Sequence, residues 1–466
     1  MKKNIIHSYI AGLVNTDRGE GYGRIIRFFL PEFVTSLLLY SMPIILDAYF
    51  IGSLKSTAMY STLGATNNLM HFIIKLSEAL PVGTAVLVGY HNGRGDFKSV
   101  GNTLRDAFWT TLIAGALIAG ILYIGAYRIY TWYVPIELVP LGVPFLRLRA
   151  IGIFCMFIFM AFIGFLRGIK NTRAPMKIFI SGTILFLFLD YVLIFGKYGF
   201  PAMGLQGSAL ASVIQYLFML IVVINYIVWN KKNHKYFINF FSIFTDKNEI
   251  MRLLSLSWMV MLDKATMALA YIWLLRMMKP MGECGIAAFC LVKDLERFAF
   301  LPAIACAQII TCLVSNDIGQ GNWQNVKTNI KKVTFLASVL VFTMLFIISM
   351  WPKVFMQYFD KKGDFIDLAA MTFPILSVFM FFDLLQIILS GALRGAGNVK
   401  TVLFARVSIC LGYFVPVSYI IANYVPIENM VLKFILIYGA FYIGNAMITV
   451  IYIKKFRTDQ WMYLND

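Results

Sequence analysis

The sequence predicts an all-α integral membrane protein: twelve transmembrane helices, arranged as two six-helix bundles related by a pseudo-two-fold axis along the membrane normal. Three observations lead there. Of the 466 residues, 60% are hydrophobic and only 14% are charged. A chain folded in water is nearer half apolar. The apolar residues gather into runs of about 20 or more, the length a helix needs to cross roughly 30 Å of hydrocarbon. The basic residues concentrate in alternate loops: Arg94, Lys98 and Arg105; Arg167, Lys170, Arg173 and Lys177; Lys231, Lys232 and Lys235; Lys327, Lys331 and Lys332; Lys454, Lys455 and Arg457. That alternation is the positive-inside pattern of a multispanning protein.

In order, the runs cover 27–52, 58–91, 104–131, 142–168, 174–197, 204–230, 250–279, 286–316, 329–352, 366–394, 398–422 and 427–455. Several exceed the required length, so tilt or extension beyond the lipid is expected. Their even number places both termini on one side, and the basic loops make that side the cytoplasm. The location implied is the cytoplasmic (inner) membrane, with multiple passes. Pro31 lies inside the first run; it lacks an N–H and is expected to kink that helix as a hinge. Residues 1–26 read as a cytoplasmic leader lying partly on the membrane surface, because they lack an apolar core of signal-peptide length. The longest polar-rich connection, Asn230 to Arg252, falls near the midpoint of the chain. The organisation expected is therefore an N-lobe at 27–230, a cytoplasmic linker at 231–249, a C-lobe at 250–455 and a tail at 456–466.

The halves echo each other. Leu166-Arg167-Gly168 ends the fourth run and Leu393-Arg394-Gly395 ends the tenth, with Asn171 answering Asn398 at the same offset of 227. "LVGYHNGRGD" at 87–96 pairs with "LVSNDIGQGN" at 313–322 at nearly that offset. An even number of spans per half makes the repeats parallel, and rocking one bundle against the other would open the two sides alternately.

Charge inside the apolar runs is expensive and usually faces protein or water. Asp383, in "FFDLLQIILSGALRGAGN", sits eleven residues before Arg394, about 16 Å along a helix and close to the midplane. Gln386 shares its helix face and is expected to hydrogen-bond it. Asp190, Asp47 and Asp263 lie in equally apolar surroundings, Asp263 with Lys264 and Arg276 on its own helix as candidate neutralising partners. Such a group can take a proton on one side and release it on the other, coordinate Na⁺, or hold a cationic substrate; the plainer reading is a static pair that fixes helix packing. Lys293 with Glu296, Asp294 with Arg297, and Lys75 with Glu78 have i,i+3 spacing and are read as structural self-pairs.

The formal charge of +18 would suit nucleic acid, but its confinement to alternate short loops argues against that partner. Cys155, Cys284, Cys290, Cys306, Cys312 and Cys410 show no metal-binding spacing, and His7, His71, His91 and His234 are scattered. HExxH, a suitably placed GxSxG and a P-loop are absent, so neither an enzyme nor a resident cofactor is expected. A monomer in the lipid bilayer, handling small organic solutes, is the expected form.

The segment "RGIKNTRAPMKIFISGTILFLFLDYVLIFGKYGFPAMGLQGSALA", Arg167 to Ala211, resembles a strong local pattern of the MATE family, the multidrug and toxic compound extrusion transporters, and the resemblance extends over nearly the whole chain. It implies a secondary antiporter that extrudes organic, cationic compounds in exchange for H⁺ or Na⁺ by alternating access, with Met and aromatic side chains lining the cavity. In the DinF-like branch a carboxylate pair lies in the N-lobe; Asp47 and Asp190 match it, and Ser212 is taken as the matching hydroxyl of the sixth span. In the NorM-like branch an Asp of the tenth span precedes "xxQ…G.LRG", which Asp383, Gln386 and Gly391 match. That branch's Glu on the seventh span falls at Met267 here, so Asp263 is expected to substitute. The family's Asn four residues before the fifth-span Asp is Phe186 here, so Asp47 and Asp190 are candidates for a Na⁺ site or for a shared proton. A lipid-linked oligosaccharide flippase of the same superfamily is the alternative reading, disfavoured by the acidic residues.

Overall fold

The computed structural model describes residues 19–40, 42–240, 247–356, 366–458 and 461. Most of the expected leader, the middle of the linker and most of the tail lie outside the described residues. The described chain is 89% helical without strands, and 12 helical stretches in it are long and apolar enough to cross a membrane.

The helices of the first half are α1 (Tyr22–Tyr40), α2 (Met42–Ser53), α3 (Thr57–Ser77), α4 (Ala79–Arg94), α5 (Phe97–Tyr133), α6 (Val139–Gly168), α7 (Arg173–Phe195) and α8 (Leu205–Trp229). The second half has α9 (Lys247–Met277), α10 (Gly282–Ala299), α11 (Leu301–Gly319), α12 (Trp323–Met350), α13 (Pro352–Met356), α14 (Ile366–Gly395), α15 (Val399–Ile409), α16 (Val415–Asn423) and α17 (Met430–Arg457). A wider turn at Cys410–Phe414 joins α15 to α16. Pro31 is interior to α1, where the Thr35 hydroxyl donates to its carbonyl at 2.8 Å.

Two compact units emerge: residues 30–261, and residues 19–29 together with 262–466. The boundary falls inside α9. The start of the described chain belongs to the second unit because Gly19 N donates to Asn325 Oδ1 at 2.9 Å and Glu20 N to Asn329 Oδ1 at 2.7 Å.

Lipid supplies little hydrophobic drive for helix association, so close backbone approach matters more than apolar burial. The repeated glycines provide it. A Cβ on Gly164 would sit 2.7 Å from the Pro81 carbonyl, and one on Gly168 would sit 2.5 Å from Val88 Cγ1. In the second unit, a Cβ on Gly391 would meet the Ala307 carbonyl at 2.7 Å and one on Gly395 the Thr311 carbonyl at 2.6 Å. Thus α6 lies on α4, and α14 on α11, through the same pair of glycines four residues apart.

The other repeated strings are helix ends. After α6 the chain turns through Lys170 at φ 59° and Asn171 N donates to the Leu166 carbonyl at 2.9 Å; after α14 it turns through Gly397 at φ 75° and Asn398 N donates to the Leu393 carbonyl at 2.9 Å. Asn171 and Asn398 then accept from the backbone of the following helix, at Ala174 N (3.3 Å) and Thr401 N (3.4 Å). Asp96 caps α5 by accepting from Ser99 N, and Asn322 caps α12 by accepting from Asn325 N. Each cap satisfies an N–H that the first helical turn leaves unpaired.

Candidate functional site

In the first unit, α2, α6, α7 and α8 bring together Asp47, Arg149, Asp190 and Ser208. Asp47 and Asp190 are 2% and 0% exposed. The turn between α7 and α8 sets the register. Met203 N donates to the Leu193 carbonyl at 2.9 Å, and a Cβ on Gly207 would collide with the Leu193 backbone at 2.7 Å. The start of α8 is thereby seated on the end of α7, and Ser208 reaches the acids. Its hydroxyl donates to Asp47 Oδ1 at 2.6 Å, while Arg149 Nη2 donates to Asp47 Oδ2 at 2.5 Å. The guanidinium also stacks 5.2 Å from the Phe145 ring centroid.

Asp190 is different. Both of its carboxylate oxygens are buried without a hydrogen-bond partner. Ser208 is near enough to act on it, but its one proton is committed to Asp47. Asp190 therefore feels Asp47 and Arg149 through space and has no donor of its own.

Ser212 is not the hydroxyl of this cluster. Its Oγ donates to the Ala209 carbonyl on its own helix at 2.7 Å, and Ser208, one turn earlier, is the hydroxyl that reaches Asp47. Arg149 balances the charge of Asp47. Below the cluster, Arg167 of the repeated Leu-Arg-Gly string donates to Glu32 on α1, next to Pro31.

In the second unit Asp263 is gripped by two guanidiniums, Arg394 from α14 and Arg406 from α15. Charge-assisted hydrogen bonds from two other helices thus balance this carboxylate. Arg276, on the same helix as Asp263, lies instead over the Trp273 ring at 5.8 Å. The two Leu-Arg-Gly arginines thus do the same thing, each reaching from the fourth span of its half to an acid on the first span.

Asp383 is 2% exposed, and its Oδ1 accepts from Asn445 Nδ2 on α17 at 2.9 Å. Gln386, expected to be that donor, is fully buried with both amide atoms unpartnered. Glu296, 4% exposed on α10, accepts from the Tyr438 hydroxyl; Tyr438 and Asn445, seven residues and so nearly two turns apart, lie on one stripe of α17. Glu296 and Asp383 lie within electrostatic reach of each other. The expected Lys293–Glu296 self-pair is replaced by this contact; Lys293 instead faces the Tyr271 and Phe289 rings, at 5.6 and 6.0 Å. Asp294–Arg297 and Lys75–Glu78 do pair, at 3.9 and 3.6 Å. An open cleft beside Asn445 is lined by Met267, Arg406, Phe414 and Phe441 among others.

Sequence reasoning missed Glu32, Arg149, Ser208, Arg406, Tyr438 and Asn445. A signal existed for three of them: Glu32, Arg149 and Arg406 are charges inside apolar runs. Ser208, Tyr438 and Asn445 carry no such mark.

A twelve-span helical chain with carboxylates sequestered inside each unit has the construction of a membrane transporter. The chain belongs to the MATE family, whose model, described as MatE, matches residues 31–192 and 260–420, more than half of the sequence. It is similar to the "Probable multidrug resistance protein NorM" of Thermotoga maritima, 24% identical over 81% of each chain. It is also similar to the "Probable multidrug resistance protein YoeA" of Bacillus subtilis, 22% identical over 87% of this chain and 88% of that one. Among solved structures, a MATE protein in the bent conformation superposes with a TM-score of 0.83 at 19% identity, covering 93% of this chain and 94% of that one. An outward-facing multidrug resistance MATE family transporter gives 0.82 at 20% identity over 93% and 94%. At those identities the superpositions show the fold.

Proposed function

We propose that this chain is a secondary antiporter of the cytoplasmic membrane that exports organic, cationic compounds in exchange for protons, with Asp190 as the proton carrier. The observation that carries the reading is the isolation of Asp190: fully buried, without a hydrogen bond, beside a carboxylate whose charge Arg149 already balances. An uncompensated ionised carboxylate there costs several kcal/mol. A proton removes that cost, and leaves the cluster neutral.

Alternating access then gives the cycle. A proton arriving from outside neutralises Asp190; its departure to the cytoplasm leaves one negative charge in the first unit, which attracts a cation. In the second unit Asp383 and Glu296 keep hydrogen bonds from neutral donors and can attract a cation there, with aromatic faces close by. The names of the two relatives, both multidrug resistance proteins, support export of varied compounds. The basic loops support cytoplasmic termini.

Transport of a cationic dye into or out of proteoliposomes, with proton and sodium gradients imposed separately, tests the reading. A proton gradient alone should drive it, and Asp190→Asn should abolish that response at normal protein levels. Dye movement driven by sodium alone, or an unimpaired Asp190→Asn protein, rejects it.

A further inference from the structure

The first unit holds a charge that proton carriage by itself does not require. Arg149 stands in an apolar run, "FLRLRAIGIF", on α6. Its head group is not merely an anchor for Asp47. Nη2 donates to Asp47 Oδ2 at 2.5 Å and lies 3.4 Å from Ser208 Oγ, while Nε is buried with no partner. Asp190, within electrostatic reach, has two empty acceptor oxygens. One donor is thus unused on the guanidinium and two acceptors are unused on the neighbouring acid. The ring of Phe145 lies against the guanidinium at 5.2 Å, a face over which a flat cation can slide with little loss of contact.

We propose that Arg149 is a tethered cation standing where a free metal ion would otherwise bind, and that it shifts from Asp47 toward Asp190 when Asp190 gives up its proton. Arg149 thereby makes the site selective for H⁺ over Na⁺. The proposal rests on Asp190 as the proton carrier, and deepens it. The physical reason is charge count. With Asp47 ionised and Arg149 charged, the pair is neutral. A proton on Asp190 cancels the one remaining negative charge and leaves the cluster neutral. A Na⁺ ion bound there would sit beside the fixed guanidinium, and two like charges at short range in a partly desolvated interior repel strongly. The ionisable groups that face Asp190 are Asp47 from α2 and Arg149 from α6; Tyr216 of α8 faces Arg149 and Asp47 in turn. Arg147, two residues before Arg149, turns instead to the Tyr123 ring at 5.5 Å.

When Asp190 ionises, its O–H bond breaks and the proton leaves to water on the open side. Arg149 remains protonated throughout, and only its hydrogen-bonding partner changes. Asp47, left by the guanidinium, keeps the Ser208 hydrogen bond.

Two measurements test this. In proteoliposomes, Arg149→Gln should show dye efflux on a sodium gradient about tenfold above the background without a gradient, the scale of removing one like charge from a desolvated site, whereas Arg149→Lys, which keeps the charge, should not. Sodium-driven transport already present in the wild type would overturn the proton reading itself. A proton-driven wild type whose Gln variant stays indifferent to sodium would overturn only the role of Arg149. The second measurement does not depend on the folding of the Gln variant. Infrared spectra of the wild type should show a protonated-carboxyl band that Asp190→Asn removes. In Asp47→Asn, Arg149 has Asp190 as its only carboxylate, so the band should also vanish, and restoring Asp47 should bring it back. A band that persists unchanged in Asp47→Asn overturns the shift of the guanidinium.

Discussion

The two units hold their buried acids in opposite ways. Two clusters surround intramembrane acids: Glu32, Asp47 and Asp190 with Arg149 and Arg167 in the first unit, Asp263, Glu296 and Asp383 with Arg394 and Arg406 in the second. Each set therefore has one negative charge beyond what its arginines balance. The first unit spends one arginine per acid and leaves the excess on Asp190 alone, with no donor. The second unit spends both arginines on Asp263 and leaves two acids, each with a neutral donor, Tyr438 for Glu296 and Asn445 for Asp383. An acid without donors is cheapest as a neutral group; an acid with donors can hold its charge. Equal charge counts can thus support proton exchange in one unit and steady attraction of a cation in the other.

The sharpest way to break that comparison is to remove the arginine that each half places at its Leu-Arg-Gly string. Arg167→Ala leaves Glu32 with no arginine and should cost about 3–5 kcal/mol, the penalty of a stranded buried charge. Arg394→Ala leaves Asp263 still held by Arg406 and should cost clearly less. Thermal melts in detergent of the two variants decide it; equal losses would mean that Arg406 does not compensate.

Transport comes next in size. Asp190→Asn should lower proton-driven efflux by at least about tenfold, equivalent to ~1.4 kcal/mol. Asp383→Asn should lower it less at saturating dye and should weaken dye affinity instead. Initial rates across a range of dye concentrations separate the two effects, and identical profiles for both variants would erase the distinction between the units.

Packing should be symmetrical where the charges are not. Gly168→Ala and Gly395→Ala each force a Cβ into contact at 2.5–2.6 Å, and each should cost about 1–3 kcal/mol. A harmless change at one and not the other would show that only one half depends on the close helix crossing.

The smallest effects are at the caps. Asp96→Ala and Asn322→Ala should each cost about 1 kcal/mol. Only the first cap is titratable. Burial raises the Asp96 carboxyl, but the hydrogen bonds from Ser99 and the nearby His91 and Arg94 outweigh it, so it stays below the usual aspartate value. A carboxyl held low in the folded state stabilises above its unfolded pKa, and that contribution is lost as pH falls through the folded value. Hydrogen exchange at the start of α5 should quicken below about pH 4, the ordinary aspartate range, while the start of α12, capped by Asn322, should not respond.

Part of this molecule could be read without coordinates, because it is governed by neighbours in the chain. Run length and basic-loop alternation state how many helices cross lipid. The repeated "NGRGD" and "GQGN" state where they stop, since a left-handed Gly followed by a capping side chain needs only a few consecutive residues. Asp383 and Asp190 could be singled out for the same reason: a charge in an apolar run is visible wherever it ends up. What each charge meets could not. Asp263 lies 131 residues from Arg394 and 143 from Arg406, and its own helix offered Lys264 and Arg276 as nearer partners. Ser208 and Ser212 differ by one helical turn on the same face, and the seating of Gly207 against Leu193 decided between them. The distinction between a clamped acid and a free one depends on which helices touch and at what register. Side chains from distant segments settle that together, so it exists only in the folded chain.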